Sequence, residues 1–462
     1  MDNFSDRSKI KVAIIGSGPA GFYTADHLFK KLKSNVQIDM FDRLPTPYGL
    51  VRSGVAPDHQ KIKSVTRIFD KIASNENFRF FGYVELGKDI IVDELKQYYH
   101  QIVFSTGAQT DKKLDIPGEN LCGSHPATEF VAWYNGHPDY KDADFDLSCE
   151  SAAIVGVGNV AIDVARILCL SENELLKTDI ADYAMDALLN SNIKQVYLLG
   201  RRGPAQAAFT NPEIRELGEL EDTSVKVVDQ EIELDSTTKD LIEDSYDSST
   251  IKKLELLSNF LKQKDSAKRK NIIFRFLVSP TEITGGKNDK VKSLKIVKNK
   301  LILDEKNNIK PIQTDEHETL DVGLVFRSIG YQGVPISDVP FNDRWGVIPN
   351  NKGRIHDPVN NQFINGLYAS GWIKRGPTGV IGTNKGDSSE TVDCMVEDIN
   401  NGLTLNPQKN DITNLIINRK PNYFSYEDWH KINNFEISKG ESTGRPRVKL
   451  YEINKMLELV KN

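Results

Sequence analysis

Three glycines, Gly16, Gly18 and Gly21, are spaced G-x-G-x-x-G within GSGPAG, and each has a different physical use. In a turn from strand to helix the first glycine permits a tight bend. The second lets backbone approach a pyrophosphate at the positive helix end, and the third allows helix and strand to pack closely. Asp42 stands 21 residues after Gly21, where a carboxylate can accept hydrogen bonds from ribose hydroxyls. The pattern recurs as GVGNVA, with Gly156, Gly158 and Ala161, but no acid follows it. Arg201 and Arg202 stand there instead, and paired guanidiniums suit a 2′-phosphate that a carboxylate would repel. Each set has a plain alternative: a structural turn for the glycines, a solvated pair for the arginines. Together, an acid-terminated site followed by an arginine-terminated one suggests FAD in the first and NADP(H) in the second, with hydride passing between them.

These residues need elements to hold them. KVAIIG (11–16) reads as a strand, GFYTADHLFKKL as a helix and VQIDMFD (36–42) as a second strand, a βαβ unit. AAIVGVG (152–158), NVAIDVARIL and QVYLLG (195–200) repeat the plan, with an extra helical stretch around ENELLKTDIADYAMDALLN. The fold class expected is α/β with two Rossmann-like dinucleotide-binding domains, the NADP domain inserted into the FAD domain. The FAD domain would take residues 1–110 and 321–462, the latter with C-terminal helices, and the NADP domain residues 111–320. Within the insert, IIFRFLVS (272–279) and SLKIVKNKLIL (293–303) flank GGKND as a hairpin. VGLVFRSIG (322–330) and GLYASGW (366–372) read as buried strands after the chain's return. The acidic stretch 229–250, with a single lysine, reads as a solvated connection.

Composition narrows the function further. The chain has 462 residues and a formal net charge of −6, and no basic run offers itself to nucleic acid or an anionic membrane. No apolar stretch approaches the roughly 20 residues of a membrane span, and MDNFSDRSKI lacks the apolar segment of a signal peptide. A cytoplasmic location is expected. Cys122, Cys149, Cys169 and Cys394 form no C-x-x-C and no metal-ligand set, which opposes disulfide-reductase chemistry and a cysteine-ligated cluster. A redox sensor or non-catalytic subunit that keeps both nucleotide sites remains the alternative to an enzyme.

The stretches GSGPAGFYTADHL (16–28), PYGLVRSGVAPDH (47–59), VGNVAIDVARIL (157–168), GRRGPAQAAFTNPEIREL (200–217) and ASGWIKRGPTGVIGTNKGD (369–387) together resemble the adrenodoxin reductase family of ferredoxin–NADP reductases, glutathione-reductase-like flavoproteins. The resemblance implies an NADPH:ferredoxin oxidoreductase whose partner is a small acidic iron–sulfur ferredoxin taking single electrons. It implies FAD contacts at Ala20, Asp42, Leu50 and Leu86, with Trp372, Gly379, Val380 and Ile381 nearer the isoalloxazine. Asn159, Val160, Arg201, Arg202, Glu213 and Gly379 fall to NADP. His59 and Glu213 match a pair near the reacting rings, which could orient the nicotinamide, relay a proton or be structural. Trp372 on its own reads as a core aromatic. Lys30, Lys31 and Arg215 match docking positions, although exposed basic residues are ordinarily a solvated face.

Overall fold

A computed structural model describes residues 9–234, 238–239, 247–262 and 268–461. Short Val-, Ile- and Phe-rich runs form the strands. β1 (Ile10–Ile15), β2 (Val36–Asp42), β3 (Phe78–Gly82) and β4 (Gln101–Phe104) run parallel, with β1 between β2 and β4. Both faces of this sheet are covered, as parallel sheets require. Val12 and Ile14 join Phe22 and Leu28 of the helix Pro19–Leu32 on one face, while Ala13 and Ile15 join Phe41 and Phe104 on the other.

The short β5 (Thr110–Asp111) leads to the second sheet, built from β6 (Ser124–Pro126), β7 (Ser151–Val155), β8 (Gln195–Gly200), β9 (Thr223–Val227) and β10 (Lys270–Phe276). The extra stretch after the helix Asn159–Cys169 is helical as expected, in two pieces, Glu172–Leu175 and Asp182–Leu189. β11 (Val278–Gly285), β12 (Val291–Leu303) and β13 (Ile309–Asp321) form a separate antiparallel sheet. The expected hairpin therefore exists with different first-strand residues. Leu277, at φ 56°, divides IIFRFLVS; the residues before it join β8 in parallel, and only those from Val278 onward pair with β12.

β14 (Leu324–Arg327) pairs with β7 and β6, so the return to the first sheet comes after Arg327 and not before residue 321. β15 (Tyr331–Gln332) then pairs with β5, and β16 (Asn350–Asn351), β17 (Arg354–His356) and β18 (Phe363–Ala369) rejoin the first sheet. Among the described residues the first sheet runs β16-β17-β18-β4-β1-β2-β3 and the second β6-β14-β7-β8-β10-β9. Part of the acidic stretch, 235–237 and 240–246, lies outside the described residues. The helical turn Asp229–Ile232 corrects the rest of that reading, because its Glu231 is buried against Arg275 of β10 at 2.9 Å. Among the described residues no helix is long and apolar enough to cross a membrane.

The chain's last stretch fastens the two units together. Glu436, on the buried side of the helix Tyr426–Glu441, pairs with Arg52 at 2.5 Å and Arg447 at 3.2 Å. Beyond it, Arg445 donates to Thr178 O at 3.1 Å and pairs with Asp182 at 2.6 Å. Lys449 lies 3.4 Å from Asp179, which also holds Lys63 at 2.6 Å. Burial alone would raise the Asp179 carboxyl; Lys449 and Lys63 more than reverse this and hold it well below the usual carboxylate range. Burial pushes both lysines the other way, below their ordinary value. Asp179→Asn strands two buried ammoniums and is expected to cost about 3–5 kcal/mol of stability. Lys449→Met keeps the Lys63–Asp179 pair and should cost clearly less, and urea unfolding of the two variants checks the order.

Candidate active site

Both glycine turns close on helix ends that the protein leaves open. Gly18 and Gly158 are the N-caps of the helices Pro19–Leu32 and Asn159–Cys169, with no side-chain cap and no acid in either first turn. The helix Tyr426–Glu441, by contrast, is closed by a Ser425–Asp428 capping box. A Cβ at Gly18 or Gly158 would meet nothing within 4 Å, whereas one at Gly16 would come within 2.5 Å of Ser105 O and one at Gly156 within 2.1 Å of Ser328 O. At Gly21 it would lie 2.3 Å from Gly16 O. The outer glycines thus serve packing, and the middle one leaves room for an anion at unsatisfied backbone N–H groups.

Asp42, at the end of β2, accepts from Ser17 N at 2.9 Å, Ser17 Oγ at 2.6 Å and Leu44 N at 2.9 Å. It therefore braces the first turn itself, an engagement the spacing alone does not reveal, and of its roughly four acceptor positions at least one stays open. Tyr48 N donates to Ser17 O at 2.9 Å, which lays the next loop over the turn and leaves Leu50 42% exposed beside it. From the other side, Gly371 packs so closely that a Cβ there would lie 2.5 Å from Ala20 Cβ, and Ser388 Oγ donates to Ala20 O at 3.1 Å. Trp372 stacks on Tyr331 with centroids 5.6 Å apart and donates through Nε1 to Thr378 O at 3.1 Å. It is part-exposed, unlike a core aromatic. The Gly379–Ile381 turn comes next, with Gly379 at φ 78° and Val380 55% exposed, and leads into the helix Thr383–Asn400. Leu86 sits further out, in the turn after β3, against the Phe41 and Phe81 core.

In the second unit Asn159 Oδ1 accepts from Thr210 N at 2.9 Å, and Val160 packs on the core. Arg201 is exposed and Arg202 half-buried. Burial and the neighbouring Arg201 hold the Arg202 guanidinium below its usual pKa, and no carboxylate among the described residues acts on it.

Between the turns lies a charge cluster. His59 Nε2 is 2.8 Å from Glu216 Oε2 but 3.8 Å from Glu213 Oε2, so the hydrogen-bonded partner of His59 is Glu216 and not the Glu213 that the sequence singles out. Glu213 is buried and turns to Arg166 at 3.3 Å. Arg166 also holds Asp58 at 2.6 Å, Asp163 at 2.7 Å and Glu216 at 3.6 Å. Burial, partly offset by Arg166, together with Glu213, pushes the Asp163 carboxyl up to about 7. Burial, the largest influence on His59, lowers its pKa and Arg166 adds to this, yet the bond to Glu216 together with the charges of Asp163 and Asp58 more than offsets them and the imidazole pKa is raised. The hydrogen bond to His59 correspondingly lowers Glu216. Asp58, Asp163, Arg166 and Glu216 are the residues that sequence reasoning misses; the available signal is a pair of charges, Asp163 and Arg166, inside the otherwise apolar NVAIDVARIL.

The three residues that the resemblance matches to partner docking lie on two different helices. Lys30 and Lys31 pair with Asp26 at 2.5 Å and Asp393 at 2.9 Å, at the far end of their helix, about 20 Å from Gly18 at 1.5 Å per residue. Arg215 is exposed on the helix Asn211–Leu217 that carries Glu213 and Glu216.

A family model described as pyridine nucleotide-disulphide oxidoreductase matches residues 10–228. The NADPH-ferredoxin reductase FprA of Mycobacterium tuberculosis strain H37Rv is 42% identical over 461 residues, covering 97% of this chain and 98% of the relative. The mitochondrial NADPH:adrenodoxin oxidoreductase of Salvelinus fontinalis is 39% identical over 465 residues, with 98% and 92% covered. A solved structure of Mycobacterium tuberculosis FprA in complex with NADPH superposes with a TM-score of 0.91 at 40% identity, over 98% of this chain and 100% of that one. With two uncapped glycine turns in two parallel sheets and this likeness along nearly its whole length, the chain belongs to the family of NADPH-ferredoxin and adrenodoxin reductases.

Proposed function

We propose that this protein is an FAD-dependent ferredoxin–NADP reductase that moves hydride between NADPH and FAD and single electrons between the reduced flavin and a ferredoxin. The observation that carries this reading is the pair of uncapped helix ends, the second strand of one unit ending in Asp42 and that of the other in two guanidiniums, with no carboxylate among the described residues acting on Arg202. The four cysteines are unpaired and none is near another in sequence, so a thiol carrier is disfavoured. A sensor would need no room for an acceptor, and family membership over the whole length favours catalysis instead.

The residues present fit both nucleotides. Gly18 and Ala20 would hold the FAD pyrophosphate on backbone N–H groups while Gly16, whose own N–H goes to Phe41 O at 2.8 Å, and Gly21 pack the turn; Asp42 would hold the adenosine ribose, and the exposed apolar Leu50 and Val380 would be covered by a flat ligand. Arg375 Nε, buried without a hydrogen-bond partner, is a further donor for an anionic cofactor, while Nη1 lies 3.3 Å from Asp387 Oδ2. Gly158, Asn159 and Val160 would hold the NADP pyrophosphate while Gly156, whose N–H goes to Leu199 O at 2.9 Å, packs the turn, and Arg201 and Arg202 would hold its 2′-phosphate. FAD, when bound, supplies the chemistry that links a two-electron donor to a one-electron acceptor.

The protein's own work is to bind, align and shield. Trp372 and the Gly379–Ile381 backbone would hold a flat ring, and Thr383 Oγ1 fixes that turn by accepting from Val380 N at 3.1 Å. Holding two rings in register removes most of the entropic cost of their encounter. His59 and Glu216 would serve as an auxiliary pair, Glu216 favouring the protonated imidazole, with Glu213 held by Arg166 at 3.3 Å. Arg215 stands exposed beside this cluster and would meet an acidic iron–sulfur partner. Lys30 and Lys31, already paired, contribute long-range attraction at most. With free cysteines and no membrane-spanning helix among the described residues, we assign the enzyme to the cytoplasm.

Gly18→Ala should fold normally, because its methyl has open space, yet purify with much less FAD; the visible flavin absorbance per chain checks it. Arg201→Ala with Arg202→Ala should raise the KM for NADPH by about two to four orders of magnitude, at about 1.5–3 kcal/mol for each of two charge-assisted contacts, and that for NADH far less. Finally, Glu216→Gln should lower the His59 pKa in an NMR titration more than Glu213→Gln does. The folded His59 value lies above its ordinary 6.5, so the pair's contribution to stability is complete below that pH and is lost as pH rises through the folded value.

A further inference from the structure

The Arg201–Arg202 dipeptide stands between two glycines, Gly200 and Gly203, so its own backbone gives little reason to hold two like charges side by side. Both peptide carbonyls are nevertheless fixed from outside. Asn299 Nδ2 donates to Arg201 O at 2.8 Å and to Ser279 Oγ at 2.8 Å. Leu277 N donates to Arg202 O at 3.1 Å, and Asn299 N in turn to Leu277 O at 2.6 Å. Asn299 is only 6% exposed and stands where β12 shifts register against β13, between Val297 and Asn299. Such a bulge re-aims a side chain. Leu277, left-handed at φ 56°, completes the bend. Asn299 Oδ1 is buried with no partner, an uncompensated burial that an apolar residue of the same shape would avoid.

We propose that Asn299 is a positioning residue for phosphate recognition: by clamping the Arg201 carbonyl directly and the Arg202 carbonyl through Leu277, it sets the direction in which both guanidiniums leave the chain and thereby the preference for NADPH over NADH. The proposal rests on the reading of the arginine pair as the 2′-phosphate clamp. Two guanidiniums that repel one another splay when their backbone is free, and each ordering step is then charged against nucleotide binding. Held by a strand 98 residues away in the chain, they meet the phosphate already aligned.

The test is steady-state kinetics of the flavin-loaded enzyme carrying the near-isosteric Asn299→Leu. The expected result is a rise of about tenfold in KM for NADPH, with KM for NADH and both kcat values within about twofold and the flavin spectrum unchanged. In the Arg201→Ala, Arg202→Ala background the same substitution should add nothing further. An equal rise with both nucleotides, or full additivity with the arginine changes, overturns the proposal. If the arginine double variant itself keeps its preference for NADPH, the clamp reading falls; if it loses the preference while Asn299→Leu keeps it, only the role of Asn299 falls. Should Asn299→Leu not fold, Asn299→Ala is read by the same criteria.

Discussion

A single buried guanidinium joins the two nucleotide-binding units. Arg166, 2% exposed, is bonded to Asp58 of the first unit and to Asp163 and Glu213 of the second, with Glu216 at 3.6 Å. Burying a cation is costly unless its donors are used, and the planar fork of arginine, with five N–H donors, can serve several carboxylates at once. One positive charge cannot balance four negative ones. Burial first, and then this surplus, push Asp163 up to about 7, and Glu216, Asp163 and Asp58 hold the His59 imidazole above its ordinary pKa against burial and Arg166. Interface geometry and the protonation of the site are thus one problem: displacing Arg166 would change both how the units sit and where the protons are.

Much of this architecture is legible in the sequence, because the informative features are local. The glycine turns are a few residues long, and their consequences come from the absence of a Cβ at Gly16, Gly18 and Gly21. The charges at the ends of β2 and β8 lie at fixed places relative to those turns. What spacing cannot resolve is the choice between residues on one helix face. Glu213 and Glu216 are three apart and face the same way, yet only Glu216 reaches His59, since Arg166 draws Glu213 inward. Likewise Asp58, Asp163 and Arg166 are distant in the chain or hidden in an apolar pattern, and their meeting is a tertiary fact.

The two topological differences between sequence and structure have one cause. Periodicity reports that a segment is extended and buried, and is silent on its neighbour. The residues before and after Leu277 read as one strand because nothing in a leucine announces a left-handed backbone; the structure gives its two sides to different sheets. Leu324–Arg327 is as apolar as a first-sheet strand, and only its pairing with β7 and β6 assigns it to the second.

The opposite charges at the two strand ends explain why the units are built differently around the same backbone device. An anion there can be satisfied on the spot, because the glycine turn presents donors: Asp42 takes the N–H and hydroxyl of Ser17 and the N–H of Leu44, and needs no help from elsewhere. Cations find no acceptors in a ring of N–H groups and are repelled by the positive helix end. Arg201 and Arg202 are therefore held by their carbonyls, from Asn299 and Leu277, which lie on β12 and just ahead of β11. The antiparallel sheet β11-β12-β13 has no counterpart beside Asp42 because none is required there. Beside the arginines, the sheet and the residue leading into it supply the two donors, Asn299 Nδ2 and Leu277 N, that fix their carbonyls.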